Sequence, residues 1–228
     1  MNRTLTVTRM QFVNKYTFVW LPLIILGGTF ALSLMVFAII PYDGVKVGGG
    51  SQAPIWYFFA VGIMSLSYTF PFSQALSITR RDFFFGTMLA AVVTALILGG
   101  VFVVGGALEQ ATGGWGVNGY FFYLDWVWRA GALAAGVFYA ACALLLFVTG
   151  FLGSTIYKRA GALGLTVVLV GVGLTLVGAL WLIGRANAWV AVGEWMAALT
   201  VPALIVGMLA AAAVIGGIAF ATLRRATP

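Results

Sequence analysis

Histidine is absent from this chain and cysteine occurs once, at Cys142, so His-based triads, Cys/His metal sites and disulfide frameworks are all out of reach. No acids cluster within an apolar run, which leaves no paired carboxylates for acid–base work. A phosphate cradle of the form GxxxxGK[ST] needs a lysine after a glycine, and Lys15, Lys46 and Lys158 follow Asn14, Val45 and Tyr157. The Gly48-Gly49-Gly50 triplet reads as a flexible loop. The expectation is a non-enzyme, with no catalytic residue, cofactor or metal site of its own. Twelve Lys and Arg against five Asp and Glu give a net charge of +7, but they fall singly and in pairs between apolar runs. Such a pattern marks topology, not nucleic-acid binding.

The elements that carry these residues are set by apolarity. With 63% hydrophobic and 7% charged residues and a mean hydropathy of +1.09, the chain is neither a soluble globule nor disordered. A helix needs about 20 apolar residues to cross a hydrocarbon core. Six charge-free stretches reach that length, at about 17–40, 54–72, 83–108, 130–152, 161–183 and 195–223. The first is too long for a signal-peptide core and reads as an uncleaved span. Lys and Arg are retained on the cytoplasmic side. Arg3, Arg9, Lys15, Arg80, Arg81, Lys158, Arg159, Arg224 and Arg225 share one side under six crossings, and only Lys46, Arg129 and Arg185 fall opposite. The expected fold is all-α: one polytopic membrane domain over 1–228, six transmembrane helices, both termini cytoplasmic. Residues 1–16 interleave Leu5, Phe12, Val13 and Tyr16 with Arg3, Arg9, Asn14 and Lys15, the pattern of an amphipathic interfacial helix; a solvated basic tail is the alternative.

Between the second and third stretches, Pro71 is expected to stop or bend the incoming helix, and Thr79 with Asp82 has capping-box spacing for the next one. A short surface helix over about 73–78 fits the gap, with Arg80 and Arg81 at its exit. It reads either as a docking knob for a soluble partner or as a plain positive-inside anchor. Ser73, Gln74, Leu76, Ser77, Thr79, Arg80, Arg81 and Asp82 are the candidate docking residues, and Lys158 and Arg159 of the next cytoplasmic turn are secondary ones.

The string Ser77-Ile-Thr-Arg-Arg-Asp-Phe-Phe-Phe-Gly-Thr87, after a second span and opening a third, resembles the first cytoplasmic loop of ATP-binding-cassette (ABC) transporter permeases, particularly actinobacterial type-2 exporter subunits. The basic N-terminal segment, six spans and lack of a soluble domain match that layout as well. The resemblance implies a coupling turn seated on a cytoplasmic P-loop ATPase that holds ATP and Mg, a second permease copy or homologue, and a place in a bacterial cell membrane. Such permeases often carry a re-entrant hairpin before the last span, whereas 184–194 is short here.

On the outer side Trp115, Tyr120, Phe121, Phe122, Tyr123, Trp126 and Trp128 read first as an interfacial belt and second as an exit lined by aromatics, with Asp125 and Arg129 as a surface pair. No span holds an ionisable residue, which disfavours proton coupling. Gly131/Ala135, Ala132/Gly136, Gly136/Ala140, Gly207/Ala211 and Ala212/Gly216 are spaced for close helix packing. The functional expectation is an exporter permease for an amphiphilic or hydrophobic cargo; the alternative is a non-transporting scaffold or accessory subunit.

Overall fold

The structure is a computed structural model and describes residues 3–13 and 16–224; Lys15 and Arg225 of the expected basic set, and Asn14 of the N-terminal segment, lie outside them. It is all-α apart from one two-residue bridge, with five helices long and apolar enough to cross a membrane. In chain order the α-helices are α1 (Arg3–Val13), α2 (Leu21–Ile39, entered through a π-type turn at Tyr16–Trp20), α3 (Gln52–Ala75), α4 (Arg80–Ala111), α5 (Asp125–Trp128), α6 (Ala132–Arg185), α7 (Trp189–Ala197) and α8 (Val201–Leu223), the five long ones being α2, α3, α4, α6 and α8. Strands β1 (Lys46–Val47) and β2 (Gly119–Tyr120) pair in parallel, joining the loops that follow α2 and α4.

The 54-residue α6 contains both the fourth and the fifth expected stretches. It is interrupted at Gly161, whose φ of 69° and ψ of −172° no helical residue adopts. Only glycine takes such a conformation without a Cβ penalty, so a bend replaces the turn expected between the fourth and fifth stretches. The part before the bend is the hub of the bundle. It packs against α3, α4 and α8. Along it, Ala135 clusters with Val201, Cys142 Sγ meets Met208 Sδ at 3.4 Å, and Gly216 lies opposite Val148. Residues 132–160 and α8 therefore run side by side in the same direction, and the connection from 161 to 200 must return over their whole length. No residue of that returning connection is buried.

Glycine decides how closely the hub is approached. A Cβ on Gly62 of α3 would collide with the Phe147 carbonyl oxygen, and one on Gly150 with the Phe59 carbonyl oxygen. On α4, a Cβ at Gly99 would strike the Gly136 carbonyl. Backbone thus packs on backbone, the arrangement that favours helix association where apolar burial offers no driving force. Of the expected small-residue pairs, Gly136 and Ala140 meet Gly99, and Ala212 and Gly216 are buried; Gly207 faces open space. Phe58, Leu66, Phe70, Phe84, Phe102 and Phe147 fill the space between the glycine crossings.

Several boundaries differ from the sequence reading. Pro71 lies inside α3, which continues to Ala75, because one missing N–H removes a single ladder bond and the following turn still closes, Leu76 N–H reaching Phe72 O at 3.2 Å. The surface helix over 73–78 is absent: those residues are the last turn of α3 and its cap. The final long helix begins at Val201, since Trp189–Ala197 forms the separate α7. Within the glycine triplet Gly50 lies so close to Ser33 Oγ that a Cβ would stand 2.5 Å from it, whereas Gly49 is exposed with nothing within 4 Å of a Cβ position.

Helix α1 also departs from the surface reading. It packs on α4, burying Val7 and Gln11, while Leu5 is exposed. Gln11 Nε2 donates to Thr87 Oγ1 at 2.8 Å and Thr69 Oγ1 at 3.0 Å, and Thr8 Oγ1 donates to the Gly86 carbonyl at 3.1 Å. Its apolar side meets protein before lipid.

Candidate docking turn and Glu109 hub

Helix α3 ends in a Schellman arrangement: Ile78 N–H bonds Ser73 O at 3.1 Å and Ser77 N–H bonds Gln74 O at 3.0 Å. Ser77 takes the left-handed position at φ 55°, where glycine is usual. Holding a β-carbon there costs about 1 kcal/mol. Ser77→Gly is accordingly expected to stabilise the protein by roughly that amount, read as a rise in thermal midpoint; an unchanged or lower midpoint would show that the serine side chain is needed.

Two residues later Thr79 starts α4 as its N-cap. Its Oγ1 accepts from Asp82 N–H at 3.1 Å and donates to Asp82 Oδ2 at 2.6 Å, in line with the capping spacing in the sequence. Asp82 also receives Thr4 Oγ1 at 3.3 Å, which ties α1 to the same point. A turn of four residues, Leu76 to Thr79, is thus braced by α1, α3 and α4 together.

The candidate residues divide by exposure. Leu76, Ser77, Thr79 and Arg81 stand on the surface, and Thr6 of α1 joins Leu76, Ser77 and Ile78 around a shallow groove of about 250 Å³. Ser73 must be withdrawn from the docking surface. It is fully buried, with its hydroxyl given to the Phe70 carbonyl at 2.7 Å. Gln74 turns inward to the Ile78 carbonyl at 3.2 Å. Arg80 is occupied as well, donating through Nη1 to Arg224 O at 2.7 Å and Leu223 O at 3.3 Å, where it satisfies carbonyls at the end of α8. Lys158 approaches the Phe70 ring at 5.9 Å, and Arg159 is exposed beside Thr222 and Arg224.

At the opposite end, Glu109 is the residue that sequence reading missed. It sits in the last turn of α4 with no exposed surface, one position past the stretch taken to be free of charge. Its Oε1 accepts from Trp115 Nε1 at 2.9 Å and Phe121 N–H at 2.8 Å; its Oε2 accepts from Phe122 N–H at 2.8 Å and Tyr123 N–H at 2.7 Å. Charge-assisted bonds of this kind are about twice as strong as neutral ones. They pull 121–123 into the bundle. Phe121 is fully buried and Phe122 nearly so, with Phe30 packed on both at 5.4 and 5.3 Å and Tyr139 donating its hydroxyl to the Phe122 carbonyl at 3.1 Å.

In its middle part the aromatic segment is therefore a plug over the Glu109 end of the bundle, buried in protein instead of lying at a surface. Trp126 alone among its tryptophans is half exposed, and Asp125 and Arg129 form the expected surface pair at 2.6 Å. Being solvent-facing, that pair is worth less than about 1 kcal/mol. Below the plug, Trp56, Trp126, Phe138 and Tyr139 wall an apolar cleft of about 540 Å³.

Five long apolar helices packed in this way define an α-helical, multi-pass membrane protein. Comparison with known proteins returned no matching family, no similar curated protein and no similar solved structure.

Proposed function

We propose that this chain is the membrane-spanning permease subunit of an ATP-driven ABC exporter in a bacterial cell membrane, moving an amphiphilic or hydrophobic cargo. In this reading α6 crosses twice, bending at Gly161, so that the chain makes six crossings with both termini cytoplasmic, as its basic residues require. ATP and Mg belong to a separate P-loop ATPase. A second permease copy or homologue completes the pathway, and residues 162–185, none of which is buried in the chain itself, leave room for it.

The observation that carries the reading is the construction of the Leu76–Thr79 turn. Its apices are exposed, yet its two ends are fixed by the Schellman cap of α3 and the Thr79 cap of α4, and α1 is tied to it through Thr4 and Asp82. A push on such a turn moves two long helices as levers instead of being absorbed by a floppy loop. Both helices pack directly on 132–160 through glycine contacts, so displacement passes to the hub. Ahead of the last long helix the chain has the single short α7, where the resembled permeases often carry a re-entrant hairpin, so the layout departs from theirs at this point.

Affinity purification of the tagged chain from its native membranes tests this. A P-loop ATPase is expected in the eluate, and Leu76→Glu, which puts a charge on an exposed apex without touching the caps, is expected to remove it by tenfold or more. An eluate with no ATPase would refute the proposal.

A further inference from the structure

Arg80, Arg81, Arg159 and Arg224 gather around the C-terminal end of α8, a convergence that sequence spacing does not show. Arg80 is spent on the α8 carbonyls. The other three border two adjoining grooves that share Arg224: Arg81 and Arg224 with Phe85 and Phe220 around about 620 Å³, and Arg159 and Arg224 with Ile218 and Thr222 around about 560 Å³. Among the described residues none of these arginines has a carboxylate within ion-pair distance, the one ion pair being Asp125–Arg129. Asp82, the nearest acid in sequence, is engaged by Thr79 and Thr4.

The grooves change character with depth. Phe85 lies five residues into α4 and Ile218 six residues before Arg224, distances of roughly 7 and 9 Å along a helix. Guanidinium groups stand at the rim, and aromatic and aliphatic side chains continue below. Arg81 keeps its guanidinium 5.9 Å from the Phe85 ring, at the boundary between the two zones. A ligand that suits both zones has an anionic head and an apolar tail. A free phosphate would gain nothing from the lower wall, and a soluble protein could not follow it between helices into the bilayer.

We propose that this arginine cleft binds the phosphodiester headgroup of an anionic phospholipid, with an acyl chain lying along Phe85, Phe220 and Ile218. Forked guanidinium donors match phosphate oxygens, and basic pockets between membrane helices are suited to such headgroups. The site needs only that this end of the bundle meet a membrane surface; it does not depend on the exporter reading.

Native mass spectrometry of the full chain, purified in neutral detergent and titrated with phosphatidylglycerol or phosphatidylcholine of matched chains, provides the test. The wild type is expected to retain phosphatidylglycerol at least about tenfold better. Arg81→Gln with Arg224→Gln is expected to weaken it roughly 10- to 30-fold while phosphatidylcholine binding stays unchanged, and Arg129→Gln at the other end to do neither. Arg81→Lys with Arg224→Lys, which keeps the charge, should fall between; it serves if the glutamine pair does not fold. Equal retention of the two lipids, or an unaffected glutamine pair, would overturn the proposal. Displacement of the lipid by millimolar inorganic phosphate would reassign the cleft to a free anion. Loss of a co-purified ATPase from the glutamine pair with lipid binding intact would reassign it to a protein partner.

Discussion

Glu109→Gln is expected to cost about 3 kcal/mol or more, because an amide presents hydrogens where Phe122 and Tyr123 also present theirs, and each buried donor left without an acceptor costs about 1–3 kcal/mol. For a chain of this size that is a fall in apparent thermal midpoint of roughly 5–10 °C. Local consequences should precede global ones. The aromatic plug is held through Glu109, so proteolytic cleavage between Thr112 and Gly131 should appear at temperatures where the helices remain intact. Glu109→Asp keeps both oxygens but withdraws them by one methylene, and its effect should be intermediate. If the glutamine variant melts with the wild type and resists protease equally, Glu109 does not hold the plug.

The second large effect is steric. Gly62→Val would place atoms where the Phe147 carbonyl and the Phe151 amide already stand, the latter 2.9 Å from a Cβ, and neither is a side chain that can swing away. Helices α3 and α6 would have to separate, at a cost of about 3 kcal/mol. Gly171, in the returning part of α6, has nothing within 4 Å of a Cβ position. Gly171→Ala should be neutral or stabilising by up to about 1 kcal/mol through helix propensity. Parallel thermal scans of the two variants in detergent separate a packing glycine from a merely helical one; equal midpoints would mean that the α3–α6 crossing is not as tight as it stands here.

The contrast between these residues shows what could be read in advance. Long apolar runs are a bulk property of the sequence, so the first three and the fifth expected stretches coincide with long helices or half of one within a few residues, while the fourth runs on to the bend at Gly161 and the sixth starts only at Val201. Thr79 and Asp82 were legible because a cap needs specific side chains at a fixed local spacing. Glu109 was not, because its partners lie 6 to 14 residues away and three of them are backbone N–H groups, which leave no trace in residue type. Gly62 and Gly150 were missed for a related reason: close approach is a property of two helices at once, whereas a search at four-residue spacing looks along one. Gly161 was hidden among the many glycines of its run, and only its positive φ distinguishes it. On the candidate turn, residue type pointed to the location but not the orientation, and Ser73, Gln74 and Arg80 prove to be used inside the chain.

The central claim is that Leu76 faces the cytoplasm and meets an ATP-binding partner there. A single cysteine at that apex can report both, since Cys142 is the one native thiol and Cys142→Ala clears the background. Leu76→Cys in that background should be closed to a membrane-impermeant maleimide in intact cells and open in inside-out vesicles. A photoreactive maleimide attached there should crosslink in those vesicles to a polypeptide that binds ATP. Labelling from the outside of intact cells, or an exposed inner cysteine that crosslinks to no ATP-binding protein, would contradict the exporter reading.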